Sequence, residues 1–431
     1  MPAIVAIAGM PLSSLPTDRK SLVRRPIRTS WVTAALLFLW PVLATCQTQP
    51  PNVLCRAGDG NFDAEFRTGV KLHVGAARSG GVATLATRSC AAKLNWQHQE
   101  LLVATDVAQL DLDAFGIDFG DGVPSATFQF KKSDDDCCME YRIYSLEKTP
   151  RLLRALTGGD FYSASDVDLD GRIEIWTHDA AAVNGFEKLA LSEMDFPPTV
   201  ILRLAHGKWL DVSAEFQSYF DDEIAEIKAG IRPQDLQAFV ASDGMLTADS
   251  PNSAELLHRL RLIKIKVLEV VWAYLYSGRD DDAWRALAEM WPTSDQDRIR
   301  SSLLQARSQG LHHQADSLSG ASPGKKKRAQ IFEASRIPGS ARGLEITPPR
   351  DILLELPPAS ALRELASPAS ELVFDLIVDA AGKVRSAEPA DKTTVVGPDL
   401  LKAAFTWKFI PAFKDGRPVA SRLRIAVSSR Q

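Results

Sequence analysis

The chain has 431 residues, of which 45% are hydrophobic and 24% charged, the make-up of an ordinary folded protein with room for two to four domains. Its net charge of -4 lacks the basic excess of a general nucleic-acid binder, so nucleic acid is excluded as an expected partner.

Arg19, Lys20, Arg24, Arg25 and Arg28 precede an apolar run from Trp31 to Cys46, and no acidic residue lies between Asp18 and Asp59. A basic stretch followed by an apolar one is the layout of an export signal, which assigns residues 1–46 to a signal peptide or signal anchor. The run falls short of the ~20 residues that span a bilayer comfortably, and Pro41 interrupts it, so cleavage is the expected outcome. Leu43-Ala-Thr-Cys46 resembles a lipoprotein processing site with Thr just before the cysteine, which makes Cys46 a candidate for lipidation. Arg24-Arg25 fits a twin-Arg signal poorly, because Pro26 and Arg28 follow. The expected compartment is the periplasm or cell envelope, with membrane attachment through the N-terminus as a variant.

Between residues 52 and 216, short apolar segments alternate with turn signals: Val82–Ala86, Leu101–Ala104, Ala126–Phe130, Tyr141–Tyr144, Ile173–Trp176, Val200–Leu204 and Gly207–Asp211. This spacing predicts a β-rich domain. Cys55, Cys90, Cys137 and Cys138 all fall within it, and an even count in an exported domain predicts disulfides. Neighbouring Cα atoms are about 3.8 Å apart, below the usual disulfide range, so Cys137 and Cys138 are expected to reach separately to Cys55 or Cys90. A four-cysteine zinc site would need a Cys-x2-Cys knuckle, which is missing.

The run Asp166-Val-Asp168-Leu-Asp170-Gly171-Arg172-Ile-Glu174 sets carboxylates at alternate positions around a glycine, a pattern that lets hard oxygens converge on calcium. It departs from an EF-hand, since Thr177 replaces the twelfth-position Glu and a strand follows. It more closely resembles the acidic loop of FG-GAP or VCBS-type propeller repeats, which implies Asp166, Asp168, Asp170 and Glu174 as acidic ligands and a carbonyl from Arg172. One copy gives a local loop and not a propeller. The bland alternative is a solvated acidic turn.

From Phe216 the pattern becomes helical, and residues 217–309 form the middle region. Leu256, Leu260, Ile263, Val267, Val270, Val271 and Tyr274 make one stripe, Ser277-Gly-Arg279 a turn, and Ala283, Leu287 and Met290 a second helix. The stretch at about 256–292 resembles one tetratricopeptide-type hairpin, and a single hairpin is expected to pack on its neighbours. Residues 310–350, with the run Lys325-Lys-Lys-Arg328, read as a solvated linker. Gly320 to Lys325 is not a phosphate loop, because three residues separate its glycines and no Ser or Thr follows the lysine.

At the C-terminus, Leu372, Phe374, Leu376 and Val378 alternate with polar positions, and Asp379-Ala-Ala-Gly382 turns the chain into Lys383–Ser386. Leu400, Leu401, Ala403, Ala404 and Trp407 follow at helical spacing after Gly397-Pro398-Asp399, Pro411 stops the helix, Lys414-Asp-Gly416 turns again, and Val419 to Val427 alternates as a last strand. Residues 351–431 resemble the C-terminal domain of the TonB family in the order of these elements and in Trp407-Lys-Phe409-Ile-Pro411-Ala. The resemblance implies docking on an outer-membrane transporter or another envelope protein by addition of a strand to the sheet edge. The partner-facing strand is then the last one, with Val419, Arg422, Arg424, Ala426 and Ser428 along it.

The fold class expected is multidomain α+β: a β-rich exported domain, a helical middle region, and a TonB-like αβ module with a small antiparallel sheet. Neither a Gly-x-Ser-x-Gly elbow nor a His-Glu-x-x-His pair occurs, so no catalytic residues are assigned and an enzyme is not expected. The alternative is a calcium-stabilised structural or ligand-binding protein whose C-terminal module only packs or dimerises.

Overall fold

A computed structural model describes residues 53–77, 88–134, 137–246, 253–318, 328–335, 346–354, 372–391 and 396–427. These are mixed α+β, about 30% helix and 39% strand in several small sheets. Residues 52–431 form one compact unit. Cys46, Ser428, Val82–Ala86 and Lys325–Lys327 lie outside the described residues.

The first core is made by two antiparallel sheets. Strands Phe62–Glu65, Lys71–Ala76, Cys90–Trp96 and Gln99–Val107 pair in sequence order, and Cys55–Arg56, Gln109–Asp118, Pro124–Lys131, Met139–Ser145 and Leu152–Gly159 form the second sheet. Alternation sends Leu72, Val74, Ala92 and Leu94 from one sheet against Leu110, Leu112, Phe128 and Phe130 from the other. Cys55 and Cys90, both fully buried, join the two sheets through a disulfide with Cα atoms 5.9 Å apart.

Cys137 and Cys138 pair with each other, contrary to the expectation that each reaches a distant cysteine. The buried pair satisfies itself across the sheets, which leaves the adjacent thiols only one another. With all four cysteines in disulfides, the four-cysteine zinc alternative falls.

The opposite face of the second sheet meets a third, Ser163–Ser165, Glu174–His178, Thr199–Ala205, Lys208–Asp211 and Ser317–Leu318, together with the helices. Ser253 caps helix Ala254–Tyr276 by accepting from the Leu256 N–H, and the helix buries Leu260, Ile263, Val267, Val270 and Val271. Asp280, Asp281 and Asp282 open the next helix, Asp280–Met290, where carboxylates favour the positive end of the helix dipole. The two form the expected hairpin, packed on helix Gln217–Ala229 and on the third sheet. No helix among the described residues is long and apolar enough to cross a membrane.

Strands Leu372–Val378, Val384–Pro389 and Ser421–Val427 form the C-terminal sheet, with helix Pro398–Ala404 against it. Trp407, 1% exposed, meets Phe374 edge to face with ring centroids 5.9 Å apart, and Phe409 is buried beside them. Phe413 instead leaves this core and packs on the first one, its ring 6.0 Å from that of Phe66.

Three expectations for this end of the chain change. The helix ends at Ala404, so Trp407 lies beyond it, and Lys408–Ile410 is a short strand paired with Arg350–Leu353. Val419 belongs to a separate short strand, Arg417–Val419, paired with Ala412–Lys414. The last strand is not an open edge along Ser421–Arg424, because Phe332–Ser335 of the same chain pairs with it in parallel. Residues 310–350 are thus not solvated throughout: Ser317–Leu318, Phe332–Ser335 and Thr347 each bond to a strand. Composition reports side chains, whereas these short pieces attach through backbone groups that every residue carries.

Candidate metal loop and its contact with the C-terminal hairpin

The acidic loop leaves strand Ser163–Ser165 and returns into strand Glu174–His178. Asp166 is fully buried, and its carboxylate accepts from the N–H groups of Asp170 and Gly171, both at 2.9 Å. Gly171 takes the left-handed φ of 88° that closes this turn without a Cβ penalty. The loop therefore folds around its own first aspartate.

Carboxylate oxygens of Asp166, Asp168 and Asp170 all lie within 4.8 Å of one another. Glu174 is fully buried beside them, and one of its oxygens, Oε2, accepts no hydrogen bond among the described residues. Burial pushes the Asp166 carboxyl up to about 7, helped by the Asp379 charge. Burial also pushes Glu174 up to about 8, although Arg203 donates to its other oxygen from Nε at 3.0 Å and Nη2 at 2.6 Å.

Three aspartates this close offer the hard oxygens that calcium takes, but protons held on the raised Asp166 and Glu174 carboxyls would have to leave first. The fit is also partial. The Arg172 side chain, expected to contribute only its carbonyl, donates from Nε to Asp170 at 2.8 Å, and Arg203 already holds Glu174 and Glu215. Asp166, Asp168 and Asp170 are the residues that would hold calcium, with Glu174 behind them.

The same loop touches the C-terminal module. Asp379, fully buried, accepts from the backbone N–H of Asp166 at 3.0 Å, from Ala381 and Lys383 N–H at 2.9 Å, and from Arg385 Nε at 2.7 Å. Gly382 holds a φ of 83°, and a Cβ there would collide with the Phe409 carbonyl oxygen, so this hairpin turn requires glycine.

Beyond the turn, Lys383 enters the body. Its ammonium lies 2.5 Å from Asp113 Oδ1 and 2.7 Å from the Asp113 carbonyl oxygen. Asp113 Oδ2 also accepts from Tyr141 Oη and Ala164 N–H, both at 2.8 Å, and from Thr127 Oγ1 at 3.2 Å. Two residues earlier, Asp111 accepts from Gln129 and from Lys408. One buried and one part-buried ion pair thus tie the module to one strand of the body.

Sequence reasoning singled out the loop and missed this lock. Asp111 and Asp113 alternate with Leu110 and Leu112, which reads as an ordinary half-buried strand. Their signal is that both are buried, which the sequence does not reveal, because the cover comes from Lys383 and the part-buried Lys408 far along the chain. Arg422 and Arg424 are exposed on the last strand, each paired with a carboxylate, Glu333 at 3.2 Å and Asp375 at 2.6 Å. Ala426 is exposed opposite Val373. No protein-family model, curated protein or solved structure matches the chain.

Proposed function

We infer that the chain is an exported cell-envelope protein that works by protein–protein interaction, with its TonB-like C-terminal sheet held as a fixed platform on a disulfide-linked β body. The observation that carries this reading is the Asp379–Lys383 hairpin, whose turn bonds to the acidic loop and whose lysine pairs with buried Asp113. A domain built to swing on a spacer would not bury charge in its neighbour, because separating the pair strands each ion in a poorly solvated site. The platform receives an extended segment of an outer-membrane transporter or another envelope protein by strand addition, which draws on backbone groups along a sheet edge. Calcium in the acidic loop stiffens the joint between body and platform.

A second reading, in which the C-terminal module only packs, is favoured by the cover that Phe332–Ser335 places on the last strand. Capture from an outer-membrane extract separates the two. The mature chain, immobilised, should retain a transporter through that protein's N-terminal segment, and deleting the segment should release it. Self-association without any such capture would favour the packing reading.

A further inference from the structure

Phe332–Ser335 runs parallel to the last strand with Phe332, Glu333, Ala334 and Ser335 opposite Ser421, Arg422, Leu423 and Arg424. Its entry is fixed by a hydrogen bond from Phe332 N–H to the Ala420 carbonyl, 3.0 Å. Three residues earlier, the Ala329 N–H donates to the Leu169 carbonyl in the acidic loop at 2.6 Å. One short stretch therefore reaches from the metal loop to the sheet edge.

Its packing differs from that of the strands it joins. The core of the C-terminal sheet, from Leu372 and Phe374 to Trp407 and Leu423, is complete without it. The stretch buries Ala334, 2% exposed, in a separate small cluster with Ile346 and Ala412. Phe332 is half-buried, with the Lys414 ammonium 4.4 Å from its ring centre, and Glu333 is exposed in its pair with Arg422. Besides backbone pairing over four residues and the two backbone hydrogen bonds at its entry, the stretch is held by one buried alanine, one half-buried ring and one exposed ion pair.

We propose that Ala329–Ser335 is a built-in occupant of the last strand's edge, a clasp that an extended segment of a partner must displace. This rests on the strand-addition reading above. Displacement exposes the backbone groups of Ser421–Arg424 and leaves the core of the sheet in place. The incoming segment has the clasp's own chemistry: an extended backbone, a residue no larger than alanine over Leu423, a carboxylate facing Arg422, and an aromatic ring beside Lys414. Because the clasp is tethered, it competes at an effective concentration of the order of millimolar, so it sets a threshold that weak or mismatched segments do not cross.

The test uses the mature full chain and a fluorescent peptide copy of residues 329–335. Ala334→Asp places a carboxylate where there is no room or water for it, so it should speed amide hydrogen exchange across Ser421–Arg424. The same variant should bind the peptide at least about tenfold more tightly than the unaltered chain. Glu333→Arg, which sets two guanidinium groups against each other on the surface, is the milder variant and should move both readouts the same way by less. A peptide carrying the Ala334→Asp change should not bind either variant. Unchanged exchange in both variants, or faster exchange with no gain in peptide affinity, would overturn the clasp. If the peptide binds the opened edge while no transporter segment does, the clasp stands and the transporter reading falls.

Discussion

Cys55 and Cys90 are joined across a sequence separation of 35 and lie buried between two sheets, whereas Cys137 and Cys138 are chain neighbours on a half-exposed loop. A cross-link stabilises chiefly by restricting the unfolded chain, and a link between neighbours restricts almost nothing. Replacing Cys55 and Cys90 with serine should therefore cost about 2–5 kcal/mol in denaturant unfolding. The same change at Cys137 and Cys138 should stay within about 0.5 kcal/mol, as for other surface substitutions. Similar losses from the two double variants would contradict this assignment.

Buried carboxylates set the response to pH. Glu223, on helix Gln217–Ala229, and Glu269, on helix Ala254–Tyr276, are both pushed up to about 7, chiefly by burial. For Glu223, a hydrogen bond from Tyr219 and the His178 charge offset only part of that push. An unfolded Glu releases its proton near pH ~4.3. From there to about 7 the folded chain keeps protons that the unfolded chain has lost, so stability falls as pH rises through this window. Melting temperature measured in chelator should be higher at acidic than at neutral pH, and Glu223→Gln should flatten the dependence. An unchanged slope in that variant would remove Glu223 from the account.

At the level of elements, the acidic loop is where composition and geometry meet. Calcium held by Asp166, Asp168 and Asp170 should raise the melting temperature by mass action, and Asp168→Ala should abolish the rise. The affinity should be modest, because Arg172 and Arg203 already engage the acidic set and the twelfth-position carboxylate of a stronger loop is missing. Equal melting in calcium and in chelator would leave a self-bonded acidic turn.

The strands and helices themselves were legible where one face is buried and the other wet. Leu372 to Val378 alternates as its sequence predicts, and the stripe from Leu260 to Val271 lies in the core. The clasp was not legible, because Phe332–Ser335 is attached by backbone pairing and its flanks are rich in Ser, Gly and Lys. The pairing of Cys137 with Cys138 was missed for a different reason. Local geometry argues against linking neighbours, and the tertiary placement of Cys55 against Cys90 decided the matter. At the site, the loop carboxylates could be read from their spacing, but the lock could not, since Asp113 and Lys383 are 270 residues apart.

Across the whole molecule, body and C-terminal sheet behave as one unit only if their joint holds under load. Among the described residues they pack as one: the Lys383–Asp113 and Lys408–Asp111 pairs make a polar part of the joint, and Ile352, Ile410 and Phe413 add an apolar part by packing on the first core. A welded sheet is suited to receiving a segment at a fixed place, and a loosely tethered one to following a moving partner. The direct measurement is hydrogen exchange by mass spectrometry through a urea titration, comparing the amides of Leu372–Val378 with those of Gln109–Asp118 in the full chain. The account predicts a shared midpoint, and a shared loss of about 3–5 kcal/mol in Lys383→Met, which leaves Asp113 buried without its cation. Separate midpoints, with Lys383→Met loosening the C-terminal sheet alone or nothing at all, would contradict it.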